Sequence, residues 1–115
     1  MFGLGDHLRY YLCNGPVDMR KGFDGLCGTV RTALWDDPMD GSVWIFVNRR
    51  RDRIKLLHWQ AGGFTIYYKR LEAGTFEVPA TNEKGKISLS HAGLAMLIGG
   101  LTAKDIKYRK RYRKT

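Results

Sequence analysis

Residues 42–79 read SVWIFVNRRRDRIKLLHWQAGGFTIYYKRLEAGTFEVP. Three apolar runs, 43–47, 54–60 and 64–71, are separated by an arginine-rich turn at 48–53 and by Ala61-Gly62-Gly63. Runs of this length, rich in β-branched and aromatic residues and bounded by turn chemistry, predict an antiparallel meander. The first run, Val-Trp-Ile-Phe-Val, is apolar at every position, as in a strand covered on both faces. The loop between the last two runs sets their register, and one residue of slip exchanges the two faces of a strand. With Ala61-Gly62-Gly63 as a three-residue loop, Trp59 faces Thr65, Leu57 faces Tyr67 and Lys55 faces Lys69. One face then carries Lys55, Leu57, Trp59, Tyr67 and Lys69. The other carries Ile54, Leu56, His58, Phe64, Ile66 and Tyr68 as core. A two-residue loop pairs Trp59 with Phe64 instead and breaks up the aromatic-basic face.

Upstream, residues 8–13 are aromatic-rich and end at Asn14-Gly15-Pro16, which reads as a strand running into a turn. Met19, Phe23, Leu26, Cys27, Val30 and Leu34 then recur at helical spacing, predicting one long helix over 19–35 with Asp18 as its N-terminal cap. Gly22, Gly25 and Gly28 line one flank of it and predict another backbone lying close by. Asp36-Asp37-Pro38-Met39-Asp40-Gly41 is turn chemistry. Downstream, 86–89 reads as a short edge strand, and Ser90 caps a second helix over 91–98 that Gly99-Gly100 ends. The expected architecture is α+β: one domain over 1–103, in which an antiparallel sheet of about five strands packs one long helix and a short C-terminal helix, followed by a basic tail at 104–115.

The chain has 115 residues with 20 Lys and Arg against 11 Asp and Glu, a formal charge of +9. Seven of these bases and one acid lie in 104–115, so the tail holds six of the nine net positive charges. Such a tail seeks polyanions, nucleic acid foremost; the alternative is a solvated end that aids solubility. No run of 18 apolar residues is present, so no membrane span is expected. The start of the chain has no signal-peptide pattern, and Cys13 and Cys27 fit neither a ligand pair nor a disulfide framework. A reduced, cytoplasmic setting is the expectation.

Arg49, Arg50, Arg51 and Arg53 fall within five residues. Four like charges on one hairpin repel each other and do little for a fold, whereas the guanidinium fork matches two phosphate oxygens. This predicts contact to the phosphate backbone; the alternative is a solvated turn with Asp52 paired to one arginine. His7, His58 and His91 are scattered and no metal site or cofactor is expected. Asp18, Asp24, Asp52 and Glu72 are the only acids that invite a two-metal hydrolase reading, and each has a simpler structural role. No phosphate loop is present.

Three blocks resemble a known family: Asp18-Met19-Arg20-Lys21-Gly22-Phe23-Asp24-Gly25-Leu26, then Asn48 to Leu57, then Lys69-Arg70-Leu71-Glu72 with Gly74, Phe76 and Pro79. In this order they are similar to the TnpB accessory proteins of bacterial insertion sequences. These are encoded by a small second reading frame beside a DDE transposase and are distinct from the RNA-guided nuclease of the same name. The resemblance covers about residues 8–101 and is weakest after Lys104. It implies a non-catalytic helper in DNA transposition, acting with the transposase and a second element-encoded protein. Charge and resemblance together nominate Arg20, Lys21, Arg49, Arg50, Arg51, Arg53, Lys55, Lys69 and Arg70, with Lys107, Arg109, Lys110, Arg111, Arg113 and Lys114 of the tail, as nucleic-acid contacts, with Arg20 expected to join Lys69 or Glu72 on one surface. The rival readings are a protein–protein adaptor for the transposase without DNA contact and, less favoured, a metal-dependent nuclease.

Overall fold

The computed structural model describes residues 4–79 and 85–99. In chain order it contains β1 (Tyr10–Cys13), α1 (Phe23–Ala33), β2 (Val43–Val47), β3 (Arg53–Gln60), β4 (Gly63–Arg70), β5 (Lys86–Leu89) and α2 (His91–Gly99). The strands form one sheet in the order β4-β3-β2-β1-β5. The all-apolar run is the central strand, buried at all five positions.

The sheet is mixed, where the sequence led us to expect an antiparallel one. β2–β3–β4 is the antiparallel meander, but β1 and β2 run parallel, with Tyr10 beside Val43 and Leu12 beside Ile45. The physical reason is α1. A strand followed by a helix and another strand makes a crossover, which returns the chain to the same end of the sheet. β5 pairs antiparallel with the other side of β1.

Strand alternation divides the core in two. Tyr10, Leu12, Val43, Ile45, Val47, Ile54 and Leu56 point to one face, where Leu94, Leu97 and Ile98 of α2 and the loop residue Phe76 cover them. Cys13, Trp44, Phe46 and Leu57 point to the other, under Leu26, Cys27 and Val30 of α1. Each of these large side chains contributes on the order of 1.5–3 kcal/mol by leaving water. The Ser90 cap forms as expected, its hydroxyl accepting from the Gly93 N–H at 3.0 Å.

α1 has 11 residues and is not the long helix over 19–35. It begins after Gly22, which provides no side-chain cap. Asp18 instead closes a turn, accepting the Arg20 N–H at 2.9 Å. The glycine flank meets no backbone either. A methyl group at Gly22 or Gly28 would project into open space, and one at Gly25 would meet the Lys21 side chain.

The register is the two-residue one. Gln60 faces Gly63, Trp59 faces Phe64 and Lys55 faces Tyr68. Ala61 and Gly62 both have positive φ, at 52° and 79°, as a two-residue hairpin with a primed turn requires. Trp59 and Tyr67 therefore lie on opposite faces. Trp59 packs edge-on against Phe64 at 4.9 Å, and Tyr67 packs against the core on the α2 side. The aromatic-basic face expected around those two residues does not exist.

Candidate nucleic-acid interface

The connections after β1, β2 and β4 all leave from one end of the sheet, because β1 and β2 are parallel and β4 ends where β3 begins. That end collects the arginines. The turn after β2 is built from its own polar residues. The Asn48 side-chain carbonyl accepts the N–H groups of Asp52 at 3.1 Å and Arg53 at 2.9 Å, and its amide donates to the Asp52 carboxylate at 2.7 Å. The Asn48 amide is the main reason why the Asp52 carboxyl lies below the usual carboxylate range. Arg51 sits at the apex with φ 59°, the left-handed region. The loop after β4 folds back on it: Leu71 N–H donates to the Asp52 carbonyl and Phe76 N–H to the Arg51 carbonyl, both at 2.7 Å. Asp52 is thus a buttress of the turn, with Asn48 rather than an arginine as its partner.

Arg20, Arg49, Arg50 and Arg53 line one cleft, together with Pro16, Val17, Asp18, Met19 and Asn48. Its single acid, Asp18, is bound to Arg20 through both carboxylate oxygens, the shortest contact being 2.6 Å. The Arg20 guanidinium and backbone N–H beside it hold the Asp18 carboxyl down to about 2. The Arg20 side chain is nevertheless 91% exposed, so most of its donors face solvent. A second groove adjoins the first, sharing Pro16, Asn48 and Arg49 and adding Arg51. Arg70 stands directly opposite Arg53 on the neighbouring strand, on the same face, and pairs with exposed Glu72 at 2.9 Å.

The other nominated bases have different duties. Lys55 is buried, and its ammonium donates to the Met19 and Lys21 carbonyls, each at 2.9 Å. It is a structural tie between β3 and the residues just before α1, with two of its three donors taken by backbone carbonyls, an arrangement that argues against phosphate contact. Lys21 donates to the Thr29 hydroxyl at 2.9 Å. Lys69 lies on the opposite face of the sheet, donating to the Ile98 carbonyl at the end of α2. Arg20 therefore shares a surface with the arginine turn and Arg70, and not with Lys69. Lys107, Arg109, Lys110, Arg111, Arg113 and Lys114 lie outside the described residues.

Sequence reasoning assigned Tyr68 to the core. It is 49% exposed, on the α1 side of the sheet, with the Lys55 ammonium 4.7 Å from its ring centroid. The two-residue hairpin signal, had it been recognised at Ala61-Gly62, would have placed it there. Among the described residues, no group of three or more His, Cys, Asp and Glu side chains stands close enough to hold a metal ion. Asp18, Asp52 and Glu72 are bound to Arg20, Asn48 and Arg70. No described helix is long and apolar enough to cross a membrane.

This geometry can be set beside known proteins. The model of the family described as IS66 Orf2-like protein matches residues 8–108, spanning the sheet, both helices and the arginine cleft. The chain belongs to the IS66 Orf2-like family. Two relatives come from Sinorhizobium fredii (strain NBRC 101917 / NGR234). The protein named "Uncharacterized protein y4jC" is 33% identical over 93% of this chain and 91% of its own length. The protein named "Uncharacterized protein y4hO" is 33% identical over 88% of this chain and 87% of its own length. No solved structure matches this IS66 Orf2-like chain. The family match runs on to residue 108, into the basic segment that the sequence resemblance covered least.

Proposed function

We propose that this chain is a non-catalytic accessory protein of DNA transposition that binds the DNA backbone through the arginine end of its sheet. The observation that carries this is the convergence of Arg20, Arg49, Arg50 and Arg53 on one cleft, with Arg70 on the same face. These residues come from three separate stretches of chain. A solvated turn does not require that convergence, whereas a surface that tracks phosphates does. The turn is also stiff, held by Asn48, Asp52 and the folded-back 71–76 loop, so the guanidinium groups are partly positioned before any ligand arrives. The tail bases Lys107, Arg109, Lys110, Arg111, Arg113 and Lys114 follow α2 in the sequence and add non-specific attraction. Membership of the IS66 Orf2-like family supports the transposition setting, in which the transposase and a second element-encoded protein are the partners.

The test is a gel shift with duplex DNA from the ends of the element. Arg49/Arg50/Arg51→Ala and deletion of 107–115 are each expected to weaken binding at least tenfold at physiological salt. Wild-type affinity in both variants would end the DNA reading and leave the protein–protein adaptor in its place.

A further inference from the structure

We infer that the flank of the arginine cleft holds a stacking site for an unpaired base, with Tyr68 as its platform, so that the protein engages single-stranded DNA as well as duplex. This inference rests on the DNA-binding reading of the same cleft and specifies the form of the ligand. Single-strand binding surfaces combine a basic track with an aromatic ring on which a base can lie, and the base needs no sequence match because every base offers a π-face.

The observed register assembles those two parts. Phe64, Ile66, Tyr68 and Arg70 alternate onto the α1 side of β4. α1 covers only the inner part of that face. Phe64 and Ile66 pack against the core beneath it, while Tyr68 lies outside both core clusters and Arg70 is exposed. Tyr68 is thus a large apolar ring left half in water on the outermost strand. Its hydroxyl makes no hydrogen bond among the described residues. Two residues further along the same face comes the Arg53–Arg70 pair, and Arg53 also lines the cleft with Arg20, Arg49 and Arg50. Two residues of strand span about 7 Å, so the ring and the guanidinium groups lie within one nucleotide's reach. Lys55 adds a polarising element. Its ammonium is fixed by the Met19 and Lys21 carbonyls and sits 4.7 Å from the ring, making the tyrosine a poorer donor of π density and a better partner for an electron-rich base. Glu72, an acid beside this surface, is already paired with Arg70.

Fluorescence anisotropy on the full chain tests the site, with labelled (dT)20 and a 20-base-pair duplex as probes. Wild type is expected to bind both. Tyr68→Leu keeps an apolar cover over Lys55 without a stacking face; it is expected to weaken (dT)20 about tenfold while the duplex affinity stays within twofold. Tyr68→Trp is expected to retain (dT)20 binding. Unfolding midpoints of both variants near wild type confirm that the ring, rather than the fold, is being read. Wild-type (dT)20 affinity in Tyr68→Leu overturns the inference, as does an equal loss for both probes. Binding of the duplex alone by wild type overturns it and leaves the broader reading standing. Binding of neither probe overturns both.

Discussion

Lys55 shows how a residue nominated by charge is claimed by structure. A lysine buried on an interior strand must satisfy three donors, and a neutralised or orphaned ammonium would be destabilising. Here two backbone carbonyls, of Met19 and Lys21, and the ring of Tyr68 surround it. Hydrogen bonds to a charged group contribute more than neutral ones, about 1.5–3 kcal/mol each. Replacement by an apolar side chain of similar length removes both partners' donor but leaves two carbonyls in a segment that water reaches, so part of the loss is recovered. Lys55→Met is expected to destabilise by about 2 kcal/mol, read in urea as a lower midpoint at an unchanged slope. Because the Lys55 ammonium is held by backbone carbonyls rather than offered to phosphate, the salt dependence of duplex binding in Lys55→Met should equal the parent's. A smaller salt slope would return Lys55 to the list of phosphate contacts. Asp18 gives the same lesson with the opposite sign. Its carboxyl, held at about 2 by Arg20, contributes stability that is complete above the ordinary carboxylate pKa of 3.8 and is lost as pH falls through about 2.

Among the elements, α1 is the one whose bounds depend on the rest of the molecule. The apolar spacing from Met19 to Leu34 reads as continuous helix, and Met19 does pack in the core beneath α1. In a helix beginning at 19, the Met19 and Lys21 carbonyls would accept from the N–H groups of Phe23 and Gly25. Lys55, more than thirty residues away, engages both carbonyls, so the helix starts only after Gly22. No local signal encodes such a tie. The strands were legible because their apolar runs were uninterrupted. The Ser90 cap was legible because capping is local. The parallel β1–β2 pair was implicit in the strand–helix–strand order. The hairpin register was hidden by Ala61, a residue that disfavours the left-handed conformation which Asn would have advertised at that position. Of the candidate site, the arginine turn was visible as a run of charge, but its meeting with Arg20 needed the crossover and the turn to be placed together. α1 also carries a removable entropic cost. Gly28 lies inside the helix with open space where a methyl group would go, so Gly28→Ala is expected to raise stability by up to about 1 kcal/mol. At Gly25 the same methyl would stand 3.0 Å from the Lys21 Cβ and disturb the Lys21–Thr29 contact, so Gly25→Ala should gain less or lose. Thermal unfolding of the two variants side by side checks the contrast.

At the scale of the whole molecule, charge is sorted along the sheet. Asp36, Asp37 and Asp40 lie in the connection that enters β2, with Asp36 bound to Lys86 and Asp40 to Arg9. The arginines lie where β2 leaves; residues 107–114, which carry six more bases in the sequence, lie outside the described residues. On the DNA-binding reading proposed above, a duplex would be drawn first to the arginine end, because Asp36 and Asp40 at the entry to β2 are already paired. The question is then whether cleft and tail act on the same stretch of DNA, and salt can answer it. Each phosphate neutralised on a duplex adds about 0.9 to the slope of log affinity against log salt. Arg49/Arg50/Arg51→Ala is expected to reduce the slope by about 2–3, and deletion of 107–115 by a further amount of similar or larger size. If both regions grip one DNA, the reductions add in the combined variant. If the tail alone binds, the arginine substitutions leave the slope where it was, and the cleft is then a surface for a protein instead. On single strands each contact contributes only about 0.7, so the same substitutions should lower the (dT)20 slope by proportionately less. Tyr68→Leu should leave that slope untouched while lowering the affinity, because stacking releases no counterions.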